Sequence, residues 1–426
     1  MRSLFLLAVY SAFFLFGLRA PFVLMLGYVW VDIFTPQLIS YGLLASIPVS
    51  LLLGIMIALS LLRLPPSPDV RLRAVTILVV VFSIWMTISL SWAVVPDAAY
   101  VKWNWAIKSV AFSCLLPLFF RNRVQIESLV WIIVLSGMGH CMPFAAKVLL
   151  SGGGYGSALG LVGGNTGYGE SSFLSLFAVS LVPMCLYLRS HSVLFPRDRL
   201  IGFMLFGFIA CAVLTALGTY ARTGLISLGT LAVFLFFFSA RKWIIVLLVC
   251  IFSLGVGVFM GEGWSNRMST IADSGTESSA MTRVGVWRWT LGYVTQSPLG
   301  GSFDVYQINR IDQVMADGTV LQVAGRAFHS IYFEVLGELG IPGFLIYLAI
   351  IATTIKTLIN VRRKSSALEL SWLRDLCNTF IICAFVFLAG GTFIGVGFNS
   401  YFYYIAGVAA SLANIFDRCN RERGDG

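Results

Sequence analysis

Residues 74–94 read AVTILVVVFSIWMTISLSWAV, a run of 21 residues without a charged side chain. A helix of this length rises far enough to cross the roughly 30 Å apolar core of a bilayer. The run is apolar on every side of such a helix, so it lacks the polar face of a surface helix in a soluble protein. Because similar runs recur along the chain, this stretch predicts a polytopic membrane protein.

The composition of the whole chain indicates the same class. Of its 426 residues, 58% are hydrophobic and 11% are charged, and the mean hydropathy is +0.88. An average soluble domain is roughly 25% charged. The charges are too few to cover several soluble domains, and the composition also excludes a disordered chain and a disulfide-rich scaffold.

Apolar runs of suitable length predict an all-α polytopic fold with about 12 transmembrane helices. Beside the first run, spans are predicted near residues 41–62, 106–120, 128–150, 170–188, 200–218, 223–240, 243–260, 342–360, 375–394 and 398–416. Residues 3–39 contain two shorter apolar runs broken at Arg19, and we count them as one net crossing plus an interfacial piece. A count of about 13 spans stays open.

The basic residues indicate which end of each span faces the cytoplasm. Of the 29 lysines and arginines, 17 lie on alternate connections, which by the positive-inside rule are cytoplasmic. They are Arg63, Arg71, Arg73, Arg121, Arg123, Arg189, Arg197, Arg199, Arg241, Lys242, Arg362, Arg363, Lys364, Arg374, Arg418, Arg421 and Arg423. The net charge of +10 therefore reflects topology, and we expect no nucleic-acid partner.

The longest connection on the predicted outer side covers residues 261–341, and it is the only one long enough to fold by itself. It separates N-terminal transmembrane helices at 1–260 from C-terminal transmembrane helices and a cytoplasmic tail at 342–426. We therefore expect three regions, with a large outer loop between two membrane-embedded parts.

Two short helices are predicted inside this loop. Apolar residues at helical spacing from Phe328 to Leu339 predict an amphipathic helix over 326–339, along or dipping into the outer interface. Residues 281–296 are also predicted to be helical, with Trp287 and Trp289 as interfacial anchors.

Ionisable residues are scarce in the central parts of the predicted spans, apart from His140 and, in the broken N-terminal region, Asp32. This scarcity disfavours a proton-coupled transporter. Ten basic residues lie on the predicted outer side: Arg19, Lys102, Lys108, Lys147, Arg222, Arg267, Arg283, Arg288, Arg310 and Arg326. They predict an anionic ligand such as a polyprenyl diphosphate, because the arginine fork donates paired hydrogen bonds to phosphate. No cysteine or histidine motif predicts a metal site.

Three groups of motifs follow one another on this outer side. The first is YARTG at residues 220–224, and the second is RVGVW at 283–287 with PLGG at 298–301. The third is HSIY at 329–332 with LGELGIPG at 336–343. Together they resemble the O-antigen ligase and polymerase superfamily, and the N-terminal third resembles its exosortase-associated ligase branch.

The resemblance implies a glycosyltransferase with a fold like that of the C-type membrane enzymes, in the bacterial inner membrane. It implies a glycan donor on undecaprenyl diphosphate, a lipid A–core hydroxyl as acceptor, a periplasmic active site, and neither metal nor nucleotide. His329 is then the expected catalytic base, since imidazole can be neutral near neutral pH. Arg222, Arg283, Arg288 and Arg326 are the expected diphosphate ligands, and direct displacement would invert the anomeric centre.

Other interpretations stay open at this point. An O-antigen polymerase or a protein O-oligosaccharyltransferase would share the donor and differ in the acceptor, and a lipid-linked oligosaccharide flippase would transfer nothing. An isolated outer arginine is more often a head-group anchor than a ligand. For His140, a contact between helices is the simpler prediction.

Overall fold

The computed structural model describes residues 2–40, 46–64, 70–151, 167–238, 278–314 and 320–424, together with residues 242, 243 and 246. Most of the predicted span at 243–260 lies outside the described residues, as does Arg267. The described part of the chain is mostly helical, which confirms the all-α class. Its one sheet is a two-stranded hairpin.

Most helices follow the predicted apolar runs, but the run predicted at 106–120 is divided between two helices, the first of which begins at Pro96. Within the described residues they are α1 Arg2–Arg19, α2 Phe22–Phe34, α3 Val49–Leu61, α4 Ala74–Ile88, α5 Pro96–Phe112, α6 Leu116–Phe119, α7 Arg123–Ser151, α8 Ser171–His191, α9 Arg199–Gly218, α10 Arg222–Phe238, α11 Ser278–Gln296, α12 Ile331–Ala367, α13 Ser371–Gly391 and α14 Ser400–Gly424. Strands β1 Arg310–Val314 and β2 Val320–Ala324 lie between α11 and α12.

Six helices in the described part are long and apolar enough to cross a membrane. They are Ala74–Trp92, Arg123–Leu150, Ser171–His191, Arg199–Gly218, Ile331–Ala367 and Ser371–Gly391. Four shorter apolar helices accompany them: Ser3–Arg19, Phe22–Phe34, Val49–Leu61 and Arg222–Phe238. The chain is therefore built as a multi-pass membrane protein, and the count of about 12 spans stays a prediction.

The core forms around α8, which is buried along almost its whole length by α7, α9, α10 and α13. Helices at the edge of the bundle are less buried than α8. Helix α9, for example, buries only a few of its apolar side chains. Such apolar exposure is normal where a helix contacts lipid instead of water. The helices thus separate into central and lipid-facing positions.

The N-terminal region differs from the prediction. Helices α1 and α2 pack as a hairpin around Pro21, and α3 packs against α2. As a result Arg19 and Arg63 line one cavity of about 400 Å³ at the same end of the molecule. The assignment of Arg19 to the outer side is therefore wrong, because hydropathy alone does not reveal that the chain turns back at Pro21.

The described part of the long loop, residues 278–314 and 320–340, folds onto one end of the helical bundle. We call this part of the protein the outer face. Strands β1 and β2 pair antiparallel, with Arg310 opposite Ala324, and α11 packs on them. A small apolar core holds this unit together, made of Val286, Val305, Ile311, Val323 and Phe328. The helix predicted over 281–296 is confirmed as α11.

The helix predicted over 326–339 begins later than expected, at Ile331. Its apolar stripe is confirmed, since Ile331, Val335 and Leu339 are all buried. The segment packs into the protein instead of lying along the surface, because Glu334 and Glu338 beside the stripe and Gly337 on the other side are also buried. Trp287, predicted as an interfacial anchor, stacks on Phe333 of this segment.

The hairpin of α1 and α2 predicts a specific labelling pattern. In a cysteine-free background, Arg19→Cys and Arg63→Cys should react with an impermeant maleimide from the same side of the membrane, because both side chains line one cavity. Thr295→Cys, an exposed position on α11, should react from the opposite side and serves as the control. Labelling of Arg19→Cys together with Thr295→Cys would contradict this arrangement.

Candidate active site

Two of the motifs meet backbone to backbone on the outer face. Gly301 N donates to Gly337 O at 3.1 Å, and Ile341 N donates to Pro298 O at 2.8 Å. Gly300 and Gly340 have φ values of +76° and +67°, which favour glycine. A Cβ atom at Gly300 would lie 2.4 Å from Gly340 N, so neither position has room for a side chain. The PLGG turn therefore fixes the end of the first segment of α12.

Gly340 also divides α12 into two parts. Its backbone is not helical there, with φ 67° and ψ −169°, and Pro342 follows. The break leaves the carbonyl of Leu339 outside the regular helical ladder, and the Trp85 Nε1 donates to it at 2.9 Å. The short segment Ile331–Leu339 is thus held in its own direction above the apolar span that follows.

A buried ion cluster holds this short segment to the rest of the protein. The Lys102 Nζ on α5 donates to Glu334 Oε1 and to Glu338 Oε1, both at 2.7 Å. Asp304 Oδ1 lies 3.5 Å from the same nitrogen. The lysine side chain is only 12% exposed, and that of Glu338 is fully buried. A cation enclosed by three carboxylates joins α5, the segment before β1, and α12.

Backbone amides complete the cluster. Gly397 N donates to Glu334 Oε2 at 2.8 Å, and Asp304 N donates to Glu338 Oε1 at 3.0 Å. Asp304 has a left-handed φ of 57°, which turns its amide toward Glu338. The other oxygen of Glu338, Oε2, is buried without a hydrogen-bond partner. The Lys102 ammonium contacts all three carboxylates, so the cluster depends strongly on this lysine.

His329 lies directly before α12 and is exposed on the outer face. Its φ of 46° is unusual for a residue other than glycine. Tertiary contacts hold the preceding residue, because Phe328 is buried and its carbonyl accepts a hydrogen bond from the Trp287 Nε1 at 3.0 Å. Trp287 in turn stacks on Phe333 with ring centroids 5.0 Å apart. The tryptophan of the RVGVW motif therefore anchors the backbone next to the histidine.

Arg283 lies one helical turn before Trp287 on α11 and is half-buried. Partial withdrawal of the His329 ring from bulk water and the positive charge of Arg283 together hold the pKa of His329 below its usual value of 6.5. Glu334 opposes this shift. The structure thus brings His329 and Arg283 within electrostatic range and favours the neutral imidazole, the form that accepts a proton.

Arg222 is the first residue of α10 and is half-buried. Tyr220, two residues earlier, has a left-handed φ of 53°, which makes the tight turn between α9 and α10. Helix α10 runs along α13 from Gly390, which lies beside Ser227, to Phe385, whose ring stacks on Phe234. Near Gly390, Leu388 O accepts a hydrogen bond from the Tyr332 hydroxyl. Arg222 therefore lies at the same end of the bundle as the start of α12.

The other two predicted diphosphate ligands are exposed. Arg326 is fixed through its backbone, because its N–H donates to Asn309 Oδ1 at 3.0 Å and its carbonyl accepts from Asn309 Nδ2 at 2.6 Å. Arg288 lies two residues after Val286, and so on the other side of α11 from that buried residue. The contact of either arginine with a diphosphate stays a prediction.

Sequence reasoning did not identify the carboxylates of the ion cluster. Glu334 and Glu338 are four residues apart and so share one helix face, which was the available signal. Lys102 was counted among the residues that could bind an anionic ligand, but its ammonium is bound by these carboxylates. His140 was predicted correctly as a contact between helices, since its Nε2 lies 2.8 Å from Ile33 O on α2.

The fold and this site define a multi-pass membrane protein with a histidine and arginine site on one face. Residues 206–348 match the family model described as O-antigen ligase. This match contains all the motifs, so residues 206–348 form a domain of the O-antigen ligase type and support the resemblance to the O-antigen ligase and polymerase superfamily, whose members are glycosyltransferase-like enzymes. Residues 1–193 match a second model, described as a family of unknown function, DUF5935. A search of curated proteins finds no match.

Removal of the lysine should destabilise the outer face. Lys102→Met leaves buried carboxylates without their cation, and breaking a buried ion pair typically costs about 3–5 kcal/mol. We expect a clearly lower melting temperature for the purified protein in detergent. Lys108→Met, at an exposed lysine on the same helix, is the matched control and should melt like the wild type.

A triple variant distinguishes the ion cluster from simple packing. Adding Glu334→Gln and Glu338→Gln to Lys102→Met removes the uncompensated charges and should restore part of the lost stability. If the triple variant is less stable than Lys102→Met alone, the electrostatic explanation is wrong.

Proposed function

We propose that this protein is an O-antigen ligase. It transfers a glycan from undecaprenyl diphosphate to a hydroxyl of the lipid A–core oligosaccharide, at the periplasmic face of the bacterial inner membrane. The observation that carries the proposal is the exposed His329 held beside Arg283, inside the segment that matches the O-antigen ligase model. Of the ten basic residues predicted on the outer side, Arg19 lies at the other end of the molecule. The arginines of the proposed site are unaffected by this correction.

His329 acts as the general base in the proposed reaction. The acceptor oxygen forms a bond to the anomeric carbon while the bond from that carbon to the diphosphate oxygen breaks. The acceptor proton moves to the imidazole, and the bonding electron pair leaves with the diphosphate. Because this is a single displacement, the anomeric configuration is inverted, and finding retained configuration in the product would contradict it.

Arg222 and Arg283 bind the diphosphate and stabilise the negative charge that develops on it. Arginine suits this role because its planar fork donates paired, charge-assisted hydrogen bonds to phosphate oxygens. A preorganised donor of this kind typically lowers the barrier by about 3–4 kcal/mol. Arg288 and Arg326, both exposed, add positive charge at the rim. No metal or nucleotide takes part in this scheme.

The acceptor distinguishes the proposed ligase from its relatives. A polymerase would extend another lipid-linked glycan, and a protein O-oligosaccharyltransferase would use a protein hydroxyl, with the same donor chemistry at His329. Reconstitution with an undecaprenyl diphosphate glycan and each acceptor in turn tests the choice. Mass gained by the lipid A–core acceptor alone would support the ligase, and mass gained by a second lipid-linked glycan instead would favour the polymerase.

The base assignment predicts a specific loss of turnover. We expect His329→Ala to bind the lipid-linked donor like the wild type and to lower product formation by about 10²–10⁴-fold, the usual contribution of a general base. His191→Ala is the control and should keep its activity. It changes the last residue of α8, at the end of the bundle opposite to the outer face. Normal product formation by His329→Ala would exclude His329 as the base.

The charge of Arg283 predicts a change in pH dependence. Activity needs neutral His329, so it falls as the pH drops through the pKa of this histidine. Because Arg283 lowers that pKa, Arg283→Gln should raise it and move the acid limb of the activity profile to higher pH. The measurement is relative turnover against pH at saturating donor, with Arg288→Gln as the control on the same helix. An acid limb that stays in place or moves to lower pH would contradict the proposed coupling.

A further inference from the structure

A second concave surface lies at the opposite end of the bundle from His329. The last turn of α8 and the first turns of α9 form a groove of about 670 Å³. Helix α9 runs from this groove to Gly218, near Arg222, so the groove and the outer face are at its two ends. The candidate active site contains none of the residues that line this groove.

Three arginines converge on the groove. Arg189 comes from α8, Arg197 from the connection, and Arg199 from the start of α9, and all three are exposed. Asp198 is the acidic residue among those lining the groove, and its Oδ1 accepts a hydrogen bond from Ile201 N at 2.8 Å as the cap of α9. The groove is therefore positively charged, and the start of a helix adds to the attraction for an anion.

The wall of the groove is apolar and continues along the membrane-facing side of α9. Leu200, Phe203 and Phe206 follow one another at intervals of three residues, and Phe203 is 80% exposed. The Arg189 guanidinium lies over the Phe206 ring, 4.3 Å from its centroid. Gly202 lies next to the Arg189 side chain, since a Cβ atom at this position would be in ordinary contact with the Arg189 Nε at 3.8 Å.

We propose that this groove binds an anionic phospholipid. The phosphate contacts Arg189, Arg197 and Arg199, and an acyl chain follows Leu200, Phe203 and Phe206 along α9. A free phosphate would use the arginines only, whereas a lipid uses both the charged and the apolar parts of the surface. Basic pockets between helix ends on the inner side of membrane proteins favour such head groups. The positive-inside rule explains the sign of these charges but not their convergence beside an apolar groove.

Native mass spectrometry of the full-length protein in detergent tests the site. The probes are phosphatidylglycerol, the zwitterionic phosphatidylcholine of the same chains, and glycerol phosphate as a head group without chains. We expect retention of phosphatidylglycerol over phosphatidylcholine, and about tenfold less retention by the variant Arg189→Gln/Arg197→Gln/Arg199→Gln. Glycerol phosphate in large excess should not displace the lipid. Complete displacement would show a phosphate site and overturn the lipid assignment.

Matched variants separate the groove from general positive charge. Arg362→Gln/Arg363→Gln/Lys364→Gln removes three charges from the end of α12, another basic region, and should keep the bound lipid. Equal loss in this control, or unchanged retention in the groove variant, would overturn the proposal.

A second pair of variants leaves every charge in place. Gly202→Leu fills the groove and should release the lipid, whereas Gly207→Leu on the same helix, where a Cβ meets no neighbouring atom, should not. Thermal unfolding of each variant shows whether it is folded. Lipid retention by folded Gly202→Leu equal to that of the wild type would exclude the groove as the binding site.

Discussion

The ammonium of Lys102 holds the outer face together. It joins α5 to Glu334 and Glu338, which are 232 and 236 residues further along the chain. It also contacts Asp304, in the segment before β1. Without a cation at this point, the buried carboxyl groups of Glu334 and Glu338 would lose the partner that both bind, and α12 would lose its charged attachment to α5. The backbone hydrogen bonds of Gly301 and Ile341 then fix the direction of the segment that the lysine attaches.

The same cluster reaches the proposed catalytic residue through Glu334. This carboxylate opposes the effect of Arg283 on the pKa of His329, and Lys102 holds it in place. Charges held by hydrogen bonds act on a neighbour without first having to reorient, which is the physical basis of preorganisation. Lys102 and Glu334 are therefore positioning residues in the proposed reaction, and His329 and Arg283 are the groups that meet the substrates.

The sequence predicts those features that depend on local patterns. The run at 74–94 gives α4, and the helix predicted over 281–296 is α11, because apolar length and spacing act over a few turns. Features set by distant contacts were not predictable in this way. The start of α12 at Ile331 follows from the φ of His329, which the hydrogen bond from Trp287 to Phe328 helps to fix. The partners of Lys102 and the position of Arg19 likewise arise from packing between segments that hydropathy treats separately.

Backbone strain is present where the proposed chemistry takes place. Gly300 and Gly340 adopt left-handed φ values without strain, but Ser302, Asp304 and His329, also on the outer face, adopt them as residues other than glycine. Such conformations cost free energy and persist only when the surrounding contacts determine them. Those contacts are the close approach of Gly300 and Gly340, the hydrogen bond from Trp287 to Phe328 O, and the ion cluster of Lys102. The same interactions therefore maintain the strained backbone and fix the position of His329. The motifs that identify the family are, on this argument, the residues that keep a strained segment rigid at the end of a membrane-embedded bundle.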